Sequence, residues 1–408
     1  MLPPARGVSL GSPAAAPYAP FPVEDRHRDA PAFAVLGRTP WGAMVFPWHL
    51  YALRLARDHA TAYVAKPVRP FDRRARAAAA GAPPPGLPVV VPVDFPLQRF
   101  PPVRRACAGH AARAVRRALR RPAGPLVVLF FPRSDLGLVR ALRPDLAAYL
   151  VTDDFSRTDH GRGGPDAPFL EWQEEACALA GLVLPITGAF VERLGSVDPA
   201  RIVVLPPAVD GEAFDGRPRP PHGALEGLPR PLLGYAGTVR ASRLDVPAVA
   251  ALAARRPDLG FAFVGPRIEE GGHDLAPLRG RANVRFVDCP SFAAVSGYVA
   301  SFDLVFVPYR EGQGNSGFHP LKVLDGLAMG KPAVVSPGPG TAEFHPFVRF
   351  AGGVDGLEEA VDGAAALLRE PGTAGRIRAS VRGHEYSDRV ARLLAEAGAR
   401  LPPRGRGR

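Results

Sequence analysis

Short, nearly unbroken apolar runs alternate along this chain with stretches whose apolar residues recur every three or four positions. The runs in the first half are FAVLG (33–37), TAYV (61–64), PVVVPV (88–93), PLVVLFF (125–131), AAYLV (147–151), LVLPI (182–186) and RIVVL (201–205). Between them, WHLYALRLARDH (48–59) spaces Leu50, Leu53 and Arg57 three or four apart, and 102–121 and 169–180 read similarly. A strand that is apolar along its whole length is covered on both faces, so the alternation predicts a parallel sheet between two layers of helices.

Residues 206–231 break the pattern with proline and glycine and no periodicity. The alternation then restarts: strands are predicted at 232–237, 261–265, 283–288, 303–309 and 332–336, and helices near 245–256, 291–300, 320–329, 357–369 and 385–399. The fold class is therefore α/β, with two doubly wound Rossmann-like domains facing a cleft. The expected boundaries are a disordered segment 1–30, a first domain 31–206, a linker 207–231, a second domain 232–400 and a basic tail 401–408. A chain of 408 residues exceeds one ordinary core and suits two. Ligands of such sheets sit beyond the carboxyl ends of the strands, so the cleft is the expected site.

Composition adds limits. No apolar run is long enough to cross a bilayer, and the first twenty residues lack the apolar core of a secretory signal, so a cytoplasmic location is expected. Cys107, Cys177 and Cys289 offer no disulfide framework and no paired metal spacing. The formal net charge is +12, and of 51 basic residues only Lys66, Lys322 and Lys331 are lysines. Positive charge gathers at 99–121 and in the tail. A solvated helix face is the plain reading of that cluster, and peripheral contact with the inner, anionic face of a membrane is the functional one. No aromatics interleave the arginines as a single-strand surface requires, so nucleic acid is not an expected partner.

The segment 303–336, DLVFVPYREGQGNSGFHPLKVLDGLAMGKPAVVS, carries the strongest chemistry. A strand runs into a glycine-rich loop that opens a helix near Pro320. Free N–H groups and the helix dipole make such a junction an anion site. Lys322 falls in that first turn, and Asp325 follows it by three, where a carboxylate facing the cleft suits a ribose diol. A surface ion pair between Lys322 and Asp325 is the alternative. In the first domain, Gly37 and Gly42 allow a close backbone approach after the first strand, and Trp41, Trp48 and His49 follow them. Trp48 suits the core, and His49 suits either a buried cap or a catalytic role. Asp153 and Asp154 sit at another strand end, as an ordinary turn or a catalytic pair. Neighbours on an extended strand point to opposite sides, so they do not form a metal-binding pair, and no metal or other cofactor is expected.

The block HPLKVLDGLAMGKPAVVS resembles the nucleotide-sugar motif P-x-K-x-x-E-x-x-A-x-G-K-P-V-V of GT-B glycosyltransferases of the glycosyltransferase 4, or group 1, type. Pro320, Lys322, Asp325, Ala328, Gly330, Lys331, Pro332, Val334 and Val335 carry the likeness. LLGYAGTVRASRLD (232–245) is similar to the opening of that family's second domain, and 182–214 to the passage ending its first. TDDFS (152–156) looks like an element of the subgroup acting in cell-surface polysaccharide assembly. Two departures stand out: in the E-x7-E pair Gly317 replaces the first glutamate and Asp325 is shorter than the second, and in the loop after 232–237 Arg240 and Arg243 stand, at imperfect register, where many relatives carry an Arg and Lys pair for the diphosphate.

The resemblance implies a metal-independent transferase of the hexosyl type that retains anomeric configuration. The donor would be a nucleotide-diphosphate sugar, and the acceptor a carbohydrate or lipid-linked molecule in cell-surface glycan, glycolipid or secondary-metabolite assembly. It implies donor contacts at Gly237, Arg240, Arg243, Ser316, Gly317, Phe318, His319, Lys322 and Asp325, acceptor-side contacts at Gly37, Trp41 and Gly42, and catalytic roles at His49, Asp153 and Asp154. An epimerase on the same fold would need more cleft carboxylates and histidines than the second domain offers. A degenerate, non-catalytic relative is the remaining alternative, motivated by Gly317 and Asp325.

Overall fold

The computed structural model describes residues 30–37, 39–41, 45–120, 124–152, 167–195, 197–289, 292–310, 321–337 and 339–401. Its first part runs β1 (Ala32–Leu36), α1 (Pro47–Leu55), β2 (Thr61–Val64), α2 (Arg73–Ala80), β3 (Val89–Val90), α3 (Pro101–Ala118), β4 (Leu126–Phe130), α4 (Leu136–Leu142), β5 (Leu146–Val151), α5 (Ala167–Leu179), β6 (Leu182–Pro185) and α6 (Gly188–Val191). The strands pair in parallel in the order β3-β2-β1-β4-β5-β6. Every residue of β1, β2, β4, β5 and β6 is buried, as two-sided coverage requires.

The second part runs β7 (Leu232–Ala236), β8 (Val239–Arg240), α7 (Val246–Arg255), β9 (Gly260–Val264), β10 (Arg267–Ile268), β11 (Val284–Val287), α8 (Phe292–Ser301), β12 (Leu304–Val307), α9 (Leu321–Ala328), β13 (Ala333–Val335), β14 (Val348–Phe350), α10 (Gly353–Leu367), α11 (Thr373–Ser380) and α12 (Tyr386–Arg400). Its sheet repeats the first, in the order β11-β9-β7-β12-β13-β14, while β8 and β10 pair past the carboxyl ends of β7 and β9. Strand order reverses between β1 and β4, and again between β7 and β12. Those two points open the crevices where ligands of doubly wound sheets bind. Asp72, Asp135 and Asp245 start α2, α4 and α7 by accepting the backbone N–H of Ala75, Leu138 and Ala248.

Three details depart from the sequence reading. The run 201–205 is no strand: it lies beside β6, with Val203 N–H on the Val183 carbonyl and Leu205 N–H on that of Pro185. The segment read as a loose linker is anchored, because Ala213, Phe214, Leu225 and Leu228 are buried in the core of the second domain. Finally, α12 does not belong with the domain that precedes it. Tyr386, Val390, Leu393 and Ala397 are buried in the core of the first domain, against α1. The chain thus crosses between domains twice, and the crossings are joined: Val209 N–H donates to the His384 carbonyl, and Tyr386 N–H to that of Val209. No described helix is long and apolar enough to cross a membrane.

Candidate active site

The second-domain half of the cleft is built at the carboxyl ends of β7, β12 and β13. Gly237 follows β7 directly, and its φ of +128° disfavours any residue with a side chain. A Cβ there would lie 2.8 Å from Cε of Lys322. α9 carries that lysine in its first turn and lies flush on β12, since a Cβ at Gly326 would lie 2.1 Å from a Val305 methyl. Glycine in mid-helix is therefore what brings the amine over the strand ends.

The Lys322 ammonium rests on two tyrosines. Nζ donates to the Tyr309 hydroxyl at 3.3 Å and stands 5.0 Å from the Tyr235 ring centroid. The two hydroxyls lie 3.4 Å apart, Tyr235 O–H donates to the Thr238 carbonyl at 2.9 Å, and Ser336 Oγ donates to the Tyr309 carbonyl. Burial and the neighbouring phenol push Tyr235 well above its ordinary value. Burial pushes Tyr309 the same way, but Lys322, the Tyr235 hydroxyl and Arg243 outweigh it, leaving this phenol below the usual tyrosine range. Among the described residues no carboxylate forms an ion pair with Lys322, so its charge is available to a ligand.

The two arginines expected to grip a diphosphate differ. Arg240 is tied to Glu270, which also meets the Ser242 hydroxyl. Arg243 is exposed and free of ion pairs among the described residues, while its charge reaches both tyrosines. Asp325 does not pair with Lys322, which removes the surface ion-pair alternative. It retains some surface access. Burial, followed by repulsion from Asp210, pushes its carboxyl up to about 8 against the pull of Lys322. Asp210 itself is 1% exposed and held by Arg54 of α1, and Arg54 also bonds Glu212 at 3.3 Å. Asp325 therefore marks the place where α9, the crossing segment and the first domain meet.

The first-domain half corrects several expectations. His49 is 2% exposed, and its Nδ1 accepts the Phe46 N–H at 3.0 Å, capping α1. Its Nε2 then carries the proton toward the Tyr63 hydroxyl at 2.9 Å, and Tyr63 donates to the Thr39 carbonyl at 2.8 Å. Burial pulls this imidazole down to about 3. Both ring nitrogens are thus engaged inside the protein, and of the two roles open to His49 the geometry displays the buried cap. Trp41 is 7% exposed and packs edge-on against His49 and Tyr63, so it offers no face to an acceptor. Trp48 is buried as expected, stacked on Phe46. Gly37 is a glycine for packing reasons, since its Cβ would lie 2.1 Å from the Tyr63 hydroxyl. Gly42, Asp153, Asp154, Ser316, Gly317, Phe318 and His319 lie outside the described residues.

Sequence reasoning missed Tyr235, Tyr309, Ser336 and Asp210. The tyrosines and Ser336 have a signal: each is a residue with a polar tip near the carboxyl end of an apolar run, in LLGYAG, DLVFVPY and PAVVS. At the end of β4 it also missed Arg133, exposed, with a left-handed φ of +63° and its guanidinium 5.4 Å from the Phe169 ring.

Two parallel six-stranded sheets, each in the order 3-2-1-4-5-6 and facing across a cleft with the site at their strand ends, define the GT-B architecture of glycosyltransferases. The fold matches solved structures along most of the chain. It matches a UDP-forming alpha,alpha-trehalose-phosphate synthase from Burkholderia xenovorans with a TM-score of 0.61 and 11% identity, over 92% of this chain and 100% of that one. It matches Anabaena Alr3699/HepE in complex with UDP and glucose with a TM-score of 0.60 and 14% identity, over 90% and 99%. No family model matches the chain. In sequence it is similar to the "Putative teichuronic acid biosynthesis glycosyltransferase TuaH" of Bacillus subtilis (strain 168), 29% identical over 142 residues. That match spans 34% of this chain and 36% of the relative, about a third of each.

Proposed function

We propose that the chain is a glycosyltransferase that takes a hexosyl group from a nucleotide-diphosphate sugar and passes it to a carbohydrate or lipid-linked acceptor. The observation that carries this is Lys322: an unpaired ammonium in the first turn of a helix, held by two tyrosines over a glycine at the switch point of the second sheet. A diphosphate there would meet the α9 N-terminus, Lys322 and Arg243, which together offset the charge that grows as the sugar leaves. The donor class agrees with the UDP found in the Anabaena structure, and a cell-surface glycan as product agrees with the Bacillus relative.

The reaction we propose is a same-face displacement with retention. The bond from the anomeric carbon to the diphosphate oxygen breaks, the acceptor hydroxyl oxygen bonds to that carbon on the same face, and the leaving phosphate oxygen takes the hydroxyl proton. No side-chain base is required, which is consistent with His49 being a cap. Protein cations supply the charge stabilisation, so the reading is metal-independent. Asp325 is the candidate for the ribose.

Calorimetric titration of Lys322→Ala with nucleotide diphosphates tests the reading: at least a tenfold loss of affinity is expected, in a protein whose melting temperature is near that of the parent. Unchanged affinity would remove Lys322 from the phosphate site. A second reading, binding without turnover, is favoured by the protonated Asp325 and by Gly317. Transfer or hydrolysis of a bound nucleotide sugar under single-turnover conditions decides against it.

A further inference from the structure

Among the described residues seven large apolar side chains are exposed, and four of them, Phe71, Phe95, Leu97 and Phe100, belong to the segments after β2 and β3. Phe71 is 98% exposed, and its φ of +68° holds a bulky ring in the left-handed region, where such residues are rare. These segments run together past the sheet: Val68 bridges Val93 in parallel, and Asp94 N–H donates to the Val68 carbonyl at 2.7 Å. Phe71 and Phe95 therefore follow one paired position by three and two residues, at the edge of the first domain where the strands end and the cleft opens.

Cations surround the rings. Residues 66–105 contain one lysine and seven arginines against two acids, Asp72 and Asp94. Asp72 is occupied in capping α2, and Asp94 accepts from the Gln98 amide at 3.3 Å. Arg69, Arg73, Arg74, Arg99, Arg104 and Arg105 are exposed, and none has a carboxylate partner among the described residues. Arg99 lies with its guanidinium 5.0 Å from the Phe100 ring centroid.

We propose that this face docks on an anionic lipid surface, with the Phe71, Phe95 and Phe100 rings entering the headgroup layer and the arginines meeting lipid phosphates. Separate aromatic tips on neighbouring loops, ringed by unpaired cations, match an interface that is apolar just beneath a negative layer. A protein partner would need a complementary groove and acids placed against each arginine, whereas a bilayer accommodates each ring singly. Docked in this way, the rim of the cleft faces the bilayer, which identifies the acceptor of the proposed transferase as a lipid-linked one. That last clause rests on the transferase reading; the docking face does not.

Sedimentation of the full chain with vesicles tests it. Binding to vesicles containing phosphatidylglycerol is expected, weakened by added salt, with little binding to phosphatidylcholine alone. Phe71→Ser with Phe95→Ser, and separately Arg73→Glu with Arg74→Glu, should each lower vesicle affinity by about tenfold or more. Both double variants should keep the parent's nucleotide-diphosphate affinity and melting temperature. No binding of the parent to anionic vesicles, or equal binding by both variants, overturns the proposal. So does capture of a protein partner through Phe71 and Arg73 by a chain that ignores vesicles. Vesicle binding by a parent that binds no nucleotide would instead overturn the transferase reading and leave the docking face standing.

Discussion

The Asp325 carboxyl keeps its proton at neutral pH because burial and Asp210 oppose its charge more than Lys322 favours it. The folded chain holds this proton to about pH 8, while the unfolded chain releases it near the ordinary 3.8. Between those values the folded state binds more protons, so stability declines as pH rises across that window. Asp325→Asn removes the effect. The variant should match the parent near pH 4 and exceed it by on the order of 1–3 kcal/mol near pH 9, read by urea denaturation. Equal stability at the higher pH would mean that the carboxylate ionises without hindrance.

His49 obeys the opposite sign. Its folded value lies near 3 and its ordinary value is 6.5, so the unfolded chain takes up a proton first. Stability is unaffected above about pH 6.5 and falls as the solution is acidified, by about 2 kcal/mol at pH 5. Replacing His49 by Gln should flatten this limb of the pH–stability curve, whatever it costs at pH 7. The position of His49 in the sequence was compatible with a cap or a base. Only the Phe46 and Tyr63 contacts separate the two, and a hydrogen bond to a residue three positions away leaves no pattern in composition. Gly237, in contrast, stands in LLGYAGTVR, a stretch singled out by its likeness to the opening of the family's second domain. Gly237→Ala should displace Lys322 and lower nucleotide-diphosphate affinity about tenfold or more, with a stability loss of about 1–3 kcal/mol. Calorimetry and thermal melting on the same protein separate the two effects.

At the scale of elements, both sheets could be read from the sequence because parallel, doubly covered strands are apolar along their whole length. Edge elements were harder. β8 contributes two residues to its pairing and β14 three, too few to stand out as apolar runs, whereas β3, also two residues, lies inside the run 88–93. The helix near 385–399 was predicted, but an amphipathic stripe shows which face is buried and not against what. Val390, Leu393 and Ala397 form that face, and it lies on α1 of the other domain. Leu393 is 0% exposed, so Leu393→Ala should cost about 2–5 kcal/mol. Because the lost contacts lie in the first domain, which holds all three tryptophans, Trp41, Trp48 and Trp172, tryptophan fluorescence should report the earlier unfolding; an unchanged fluorescence transition would place α12 elsewhere.

For the molecule as a whole, the junction between domains is polar and closely paired. Tyr51 and Tyr386 meet edge to face at 5.4 Å, Arg389 Nε donates to the Pro206 carbonyl at 2.7 Å, and Arg54 neutralises the buried Asp210. Arg54→Met takes that cation away from a 1% exposed carboxylate. The expected loss is about 3–5 kcal/mol, and Asp325 should be pushed further toward its protonated form. A chemical denaturation midpoint unchanged from the parent would contradict a buried ion pair at this point. None of this was legible beforehand, because Arg54, Asp210, Asp325 and Tyr386 are distant in sequence and meet only once both domains have formed.

The double crossing restricts how such chains can be recombined. A chimaera that exchanges the second domain by joining two genes once, near residue 210, would import a foreign last helix with it and lay that helix on a first domain selected for a different one. Joining at two places, near Val209 and near Glu385 where the crossings pair, would keep each core with its own helices. In gene architecture the second domain is thus an insertion within the first, and not an appendage to it.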